Sequence, residues 1–164
     1  MKKTIITCFC LSMFITVNSF ANQKSSKVKE KIRILNENTL PRSKADNTNF
    51  TGEVILNRIF SAGDSSELSA GIVEFEAGSR TNWHSHPKGQ MLIITSGKGW
   101  IQEWGDPVLE VQEGDIAWFP AGIKHWHGAS PDTSMTHIAI SPVYEGKSSN
   151  WMERVSSQQY KNNF

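Results

Sequence analysis

Cysteine is almost absent from this sequence. The 164 residues include two cysteines, Cys8 and Cys10, and both lie within the first 21 residues. There an apolar run at 4–17 follows two lysines and precedes a small-residue site ending at Ala21. This pattern is typical of a secretory signal peptide, and we expect residues 1–21 to be removed. The remaining chain has no cysteine, which excludes a disulfide framework and a thiol nucleophile.

A long hydrophobic run is also lacking. A membrane helix needs about 20 consecutive apolar residues. The run at 4–17 is shorter, and the polar stretch 22–31 follows it. We therefore expect an exported protein, periplasmic or secreted, with no membrane contact after cleavage.

No strong charge of either sign is present. The formal net charge is +1, and the expected signal peptide contains two lysines and no acidic residue, so its removal changes the charge to −1. A chain this close to neutral gives no indication of the excess positive charge typical of nucleic-acid binding, so we do not expect nucleic acid as a partner. A small molecule is the expected partner.

Helical periodicity is scarce, and short strands predominate. Apolar or alternating runs separated by turn residues occur at 53–60, 68–75, 90–95, 100–103, 108–111, 116–119 and 136–140. This spacing predicts an all-β sandwich or barrel in one domain at 50–164. The weak helical pattern at 148–160 predicts a short C-terminal tail that is helical or extended. Residues 22–49 are rich in Lys, Ser and Asn, and we expect them to form a flexible leader in which 32–35 could add an edge strand.

Two histidines alternate at the end of one predicted strand. His84 and His86 share a face about 7 Å apart. Gln90 opens the next strand after a turn at 87–89, and His125 follows the turn at 120–122. The alternative is a pair of partly exposed strand histidines and an inward glutamine that only hydrogen-bonds the barrel wall. Imidazole and amide ligands with open positions suit one Mn²⁺, Fe²⁺, Ni²⁺ or Zn²⁺ ion.

The spacing of these residues resembles both motifs of the cupin superfamily. The first motif would run from Gly78 through His84, His86 and Gln90 to Gly97, and the second from Gly114 to His125. The resemblance implies a double-stranded β-helix, or jelly-roll, barrel with four metal ligands: His84, His86, Gln90 and His125. Two positions depart from the usual pattern, since Gln90 replaces the common Glu and Ala129 a common Asn. A neutral Gln leaves the full charge of the ion in place and favours Lewis-acid chemistry.

Longer segments resemble the manganese-containing bacterial cupin hydroxynitrile lyases and cupins related to carboxymuconolactone decarboxylases. These segments lie at 78–87, 118–120, 124–129, 135–140 and 151–155. The resemblance implies a manganese-dependent lyase in which His137 removes the hydroxyl proton of a cyanohydrin. It also implies assembly into a homodimer or homotetramer.

Residues near the motifs are candidates for the substrate pocket. His127 points to the same side as His125, and Trp118 and Trp126 flank the second motif. Each tryptophan could equally belong to the core or to a subunit contact, and His137 could be a core histidine bonded to a carbonyl. Two other functions stay open: an iron-dependent dioxygenase using the same ligands, and a non-catalytic protein that binds a small metabolite.

Overall fold

The computed structural model describes residues 31–61 and 67–161. Contacts divide the chain into one unit at Met1–Arg33 and another at Ile34–Phe164. The first unit includes only three described residues, so the predicted signal peptide at 1–21 and the leader up to residue 30 lie outside the described residues.

Short antiparallel strands make up about half of the described residues of the second unit and connect through turns and loops. Within the described ranges they are β1 (Arg42–Lys44), β2 (Phe50–Thr51), β3 (Val54–Phe60), β4 (Leu68–Phe75), β5 (Arg80–Thr81), β6 (His84–Ser85), β7 (Gln90–Glu103), β8 (Leu109–Gln112), β9 (Ile116–Phe119), β10 (His125–Ala129), β11 (Met135–Pro142) and β12 (Asn150–Trp151). A 3₁₀ turn at Glu37–Thr39 precedes them, and one short helix, α1 (Ser157–Lys161), follows. The prediction of an all-β barrel is confirmed, and the tail proves largely extended with one helical turn.

Strand β7 connects the two halves of the curled sheet. Its first half pairs with β9 and β11, and its second half pairs with β8 and β10. The sheet order is β1-β3-β4-β11-β7-β10-β5-β2, with β6 beside β10 and β12 beside β6. The long strand therefore passes from one sheet to the other and curls the barrel around a common interior.

Glycines allow β7 to bend without ending. The sequence predicts a turn at 96–97 between two strands, whereas the structure has one continuous strand from residue 90 to residue 103. Gly97 has φ +75, and a Cβ there would lie 1.9 Å from the Ser134 carbonyl oxygen. A glycine with positive φ can bend or bulge a strand as well as terminate it, which explains the difference.

Alternate residues of the strands fill the barrel interior. Val54, Phe75, Leu92, Ile94 and Met135 are each at most 1% exposed and belong to one core cluster. Burial of such side chains stabilises the fold by roughly 1.5–3 kcal/mol each. The metal-ligand candidates project into this same interior from β6, β7 and β10.

A second cluster fastens the C-terminal tail to the barrel. Trp83, Trp126, Val155 and Tyr160 pack together. The Tyr160 hydroxyl donates to the Ala129 carbonyl at 2.8 Å, and Arg80 donates to the Val155 carbonyl at 3.1 Å. These contacts hold the tail next to β6 and β10, beside the candidate site.

The N-terminal edge strand lies later in the leader than 32–35. Ile32 and Ile34 are almost fully exposed, whereas β1 at Arg42–Lys44 pairs with β3 and is followed by the buried Ala45.

Within 31–61 and 67–161, no helix is long and apolar enough to cross a membrane.

Candidate metal centre and its cavity

Four polar side chains converge at one end of the barrel interior. His84 lies on β6, His86 directly follows that strand, Gln90 begins β7 and His125 begins β10. Each is at most 5% exposed. The β6–β10 pairing places His125 opposite His84, and their ring centroids are 4.3 Å apart. The structure thus brings together the four residues singled out by spacing.

Backbone carbonyls set the orientation of the three imidazoles. His84 Nδ1 donates to the Asn82 carbonyl at 3.0 Å, His86 Nδ1 to the Ser148 carbonyl at 2.6 Å, and His125 Nδ1 to the Ile123 carbonyl at 2.9 Å. A carbonyl oxygen can only accept, so each Nδ1 carries the proton. Each Nε2 therefore retains the lone pair that a metal ligand needs.

The donor set fits a divalent metal ion. Among the described residues, His86 Nε2 is buried and has no hydrogen-bond partner. Gln90 Oε1 lies 3.2 Å from His125 Nε2, and the Gln90 amide lies close enough to His84 and His86 to raise their pKa values against the larger effect of burial. Three imidazole nitrogens and an amide oxygen around one point would satisfy a borderline transition metal.

His127 offers a second possible ligand combination. Among the described residues, His84, His125 and His127 form a group whose ligand atoms all lie within 4.8 Å of one another. His127 Nδ1 also lies 3.2 Å from His137 Nε2. One of these nitrogens donates to the other, so His127 is held by another imidazole, unlike the three carbonyl-bound histidines.

Burial keeps the histidines of the site neutral. It lowers the pKa of His84 well below its usual value, with further lowering from His125 and His86. Burial lowers the pKa of His125 to about 4 and also lowers that of His86. Neutral imidazole is the form that binds a metal, so the site is prepared for an ion at neutral pH.

A cavity of about 450 Å³ adjoins these residues. This volume suits a small organic molecule. Its lining includes polar groups, namely His84, His86, Gln90, His127, Asn49, Asn57, Thr81 and Ser141, and apolar ones, namely Phe50, Phe60, Leu56, Val73, Ala139 and Trp151. Polar and aromatic surfaces therefore meet beside the candidate ligands.

The other predicted site residues lie in different places. His127 lines the cavity, whereas His137 is fully buried behind it, in contact with His127. Neither Trp126 nor Trp118 belongs to the described lining of this cavity. Trp126 is buried against Tyr160, and Trp118 is 57% exposed.

Sequence reasoning missed two contributions from the C-terminal tail. The Ser148 carbonyl fixes His86, and the Trp151 ring lies 4.7 Å from the His84 ring. Both come from residues more than 60 positions after the histidine that they contact. The sequence offered a weak signal only in the likeness of residues 151–155 to the lyase group.

Comparison with known proteins supports this description. The family model described as Cupin domain matches residues 71–141. A curated (R)-mandelonitrile lyase of Granulicella tundricola is 49% identical over 112 residues, covering 68% of this chain and 86% of that protein.

Two solved structures illustrate the fold. A cupin-like protein of Thermotoga maritima is 38% identical with a TM-score of 0.70, covering 74% of this chain and 92% of the other. The polyketide cyclase RemF of Streptomyces resistomycificus has a TM-score of 0.64 at 12% identity, covering 80% of this chain and 92% of the other, and is similar in fold alone. With this barrel, the matched domain and a relative of near-half identity, the chain belongs to the cupin family.

Proposed function

We propose that this protein is an exported metal-dependent lyase of the hydroxynitrile-lyase type, which cleaves a cyanohydrin into an aldehyde and cyanide. The observation that carries the proposal is the cluster of neutral, buried histidines beside a cavity that is part polar and part aromatic. The 49% identity to a protein named (R)-mandelonitrile lyase supports the reaction and an aryl substrate.

His84, His86, Gln90 and His125 would hold the ion, which we propose to be Mn²⁺. When bound, the metal supplies Lewis acidity at the substrate hydroxyl. The neutral amide of Gln90 takes no charge away from such an ion, whereas a carboxylate would cancel one unit. The carbonyls of Asn82, Ile123 and Ser148 keep the three Nε2 atoms directed inward.

The paired histidines His127 and His137 supply the base. His127 lines the cavity and therefore faces the substrate, and His137 lies behind it at hydrogen-bond distance. Burial lowers the pKa of both histidines. The pKa of His127 is lowered further because a proton on His127 would be repelled by one on His137. Both rings are consequently neutral at pH 7, and His137 takes up the hydroxyl proton through His127.

The bond changes balance without an external reactant. The hydroxyl proton moves to the histidine pair, the carbinol carbon becomes the aldehyde carbon, and the bond to the nitrile carbon breaks. The electron pair of that bond leaves with cyanide, which then receives the proton from the histidine pair. Base catalysis of this kind contributes typically 10²- to 10⁴-fold, by order of magnitude.

The direct test is cyanide release from racemic mandelonitrile by Mn²⁺-loaded protein without residues 1–21. We expect release above the buffer rate, and its loss in His84→Ala. Absence of release would reject the lyase proposal. Oxygen consumption by Fe²⁺-loaded protein with catechols or diketones would then favour a dioxygenase, and ligand binding without turnover would favour a metabolite-binding cupin.

We also propose a homodimer or homotetramer. Ile116 and Trp118 are 66% and 57% exposed on one face of β9, and their Cα partners on β7 are Ile93 and Met91. An apolar sheet face of this kind favours covering by a second copy. Sedimentation velocity showing a stable monomer would reject this assembly.

A further inference from the structure

Trp151 lies in the wall of the cavity next to a candidate metal ligand. The β12–β6 pairing places it opposite His84, and the two ring centroids are 4.7 Å apart at an interplanar angle of 33°. The Phe50 ring also lies near Trp151, with its centroid 5.4 Å away and its plane tilted by 57°. The indole thus has two aromatic neighbours, one of them at the chemical centre.

Trp151 is only partly covered by the rest of the barrel. Trp151 is 39% exposed, whereas His84 is 1% exposed and Phe50 is 8% exposed. Because Trp151 lines the cavity, part of this free surface is available to a bound molecule. A partly open aromatic face beside the reacting centre is well placed to receive an apolar group of the substrate.

The backbone holds this wall in place. Met152 N donates to the Trp83 carbonyl at 2.9 Å, and Trp83 N donates to the Glu153 carbonyl at 3.0 Å. Three residues before Trp151 in the chain, the Ser148 carbonyl accepts a hydrogen bond from His86 Nδ1. The ring position is therefore tied to the strand that carries His84 before any substrate arrives, which reduces the entropy lost on binding.

We propose that Trp151 is the specificity-determining residue of this cavity, receiving the aryl group of an aromatic substrate against its indole face. This inference rests on the proposed lyase function. Aromatic rings attract one another in offset or edge-to-face contacts beyond the gain from apolar burial, and an alkyl group lacks that additional attraction. Trp151 would therefore favour aryl over alkyl cyanohydrins.

The experiment compares wild type with Trp151→Leu and Trp151→Phe on mandelonitrile and on the cyanohydrin of butanal, an alkyl substrate that also yields an aldehyde. We expect Trp151→Leu to lower the aryl-to-alkyl ratio of kcat/KM about tenfold, through a higher KM for mandelonitrile, and Trp151→Phe to recover most of it. Trp104→Leu is the matched control, since Trp104 is 50% exposed and lines a different pocket. An unchanged ratio in Trp151→Leu would overturn the inference.

Metal content separates substrate recognition from positioning of His84. We expect Mn²⁺ by elemental analysis to match wild type in both Trp151 variants. If both Trp151 variants lost their metal, the indole ring would serve only to position His84. That result would overturn the inference that Trp151 recognises the substrate.

A binding measurement does not depend on turnover. Calorimetry of Mn²⁺-loaded protein measures the binding of benzyl alcohol and of 1-propanol. Compared with wild type, Trp151→Leu should bind benzyl alcohol more weakly and 1-propanol equally well. If no cyanide is released by wild type but this difference is found, the lyase proposal fails and the role of Trp151 stands. Equal binding of benzyl alcohol by the two proteins would overturn that role.

Discussion

His137 Nε2 lies 3.2 Å from His127 Nδ1, with both imidazoles almost wholly buried. The two residues come from β11 and β10, which are not neighbours in the sheet but both pair with β7. His127 lines the cavity, and His137 lies behind it in contact with His127. Because the two histidines occupy different positions relative to the cavity, the role of each in the proposed base can be tested by replacing one residue at a time.

Replacing His137 should impair turnover and leave metal binding intact. For His137→Gln we expect kcat for mandelonitrile to fall roughly 10²-fold or more, because the proton acceptor behind His127 is lost. The KM and the Mn²⁺ content should remain close to wild type. Steady-state kinetics and elemental analysis measure these quantities, and a kcat within threefold of wild type, on the order of 0.6 kcal/mol, would contradict the role of His137.

The two candidate ligand sets make opposite predictions for His86 and His127. We expect His86→Ala to lose most of its metal, because its buried Nε2 otherwise lacks a partner. His127→Ala should keep its metal, because His127 is already bonded to His137. Elemental analysis after dialysis decides the matter. Metal retained in His86→Ala and lost in His127→Ala would identify His84, His125 and His127 as the ligands.

Gln90→Glu should bind metal more tightly and catalyse more slowly. A carboxylate adds an attractive charge at the site and reduces the effective charge of the ion. We expect the Kd for Mn²⁺ to decrease at least about tenfold, which corresponds to ~1.4 kcal/mol, and kcat to decrease as well. Competition with a chelator measures the Kd. Gln90→Ala is the control, and an unchanged Kd in both variants would mean that Gln90 only hydrogen-bonds the barrel wall.

Gly128→Ala should destabilise the barrel. A Cβ at Gly128 would lie 2.4 Å from the Ser79 carbonyl oxygen and 2.6 Å from Arg80 Cα, and this backbone cannot easily yield. We expect a loss of about 1–3 kcal/mol or more in the free energy of unfolding. The control is Gly105→Ala, where φ is +92 but, chain neighbours aside, no atom of the described residues lies within 4 Å of the added Cβ. That substitution should cost only ~1–2 kcal/mol from backbone strain. Urea denaturation measures both, and a smaller loss at Gly128 than at Gly105 would be unexpected.

Stability of the metal-free protein should fall with acidity. Burial lowers the pKa of His137 to about 3, while an unfolded histidine titrates near 6.5, by the usual approximate value. Between these pH values the unfolded chain binds more protons than the folded one. The contribution of neutral, buried His137 to the free energy of unfolding is therefore fully present above about pH 6.5 and is lost as the pH falls toward 3. Urea midpoints of chelated protein from pH 7.5 to 4 should therefore decrease. The decrease should be shallower in His137→Leu, and an equal slope would show that His137 does not contribute.

The local part of the site followed from spacing. His84, His86 and Gln90 lie within seven residues, and strand alternation with one turn fixes where their side chains can go. The strands at 68–75 and 116–119 were predicted at their observed limits because their apolar runs end at turn residues. The two strands predicted on either side of Gly97 proved to be one, since local sequence does not tell a turn glycine from a bend glycine.

The sequence by itself determined the all-β class and the cluster of inward histidines, because both depend on period-two alternation and on turns between neighbouring residues. Only the tertiary structure decided that His127 faces the cavity with His137 behind it, that Trp126 packs in a separate cluster, and that Trp151 lies over His84. These relationships join strands far apart in the chain. They depend on how β7 bends and on how Val155 and Tyr160 of the tail pack against Trp83 and Trp126, which no local pattern specifies.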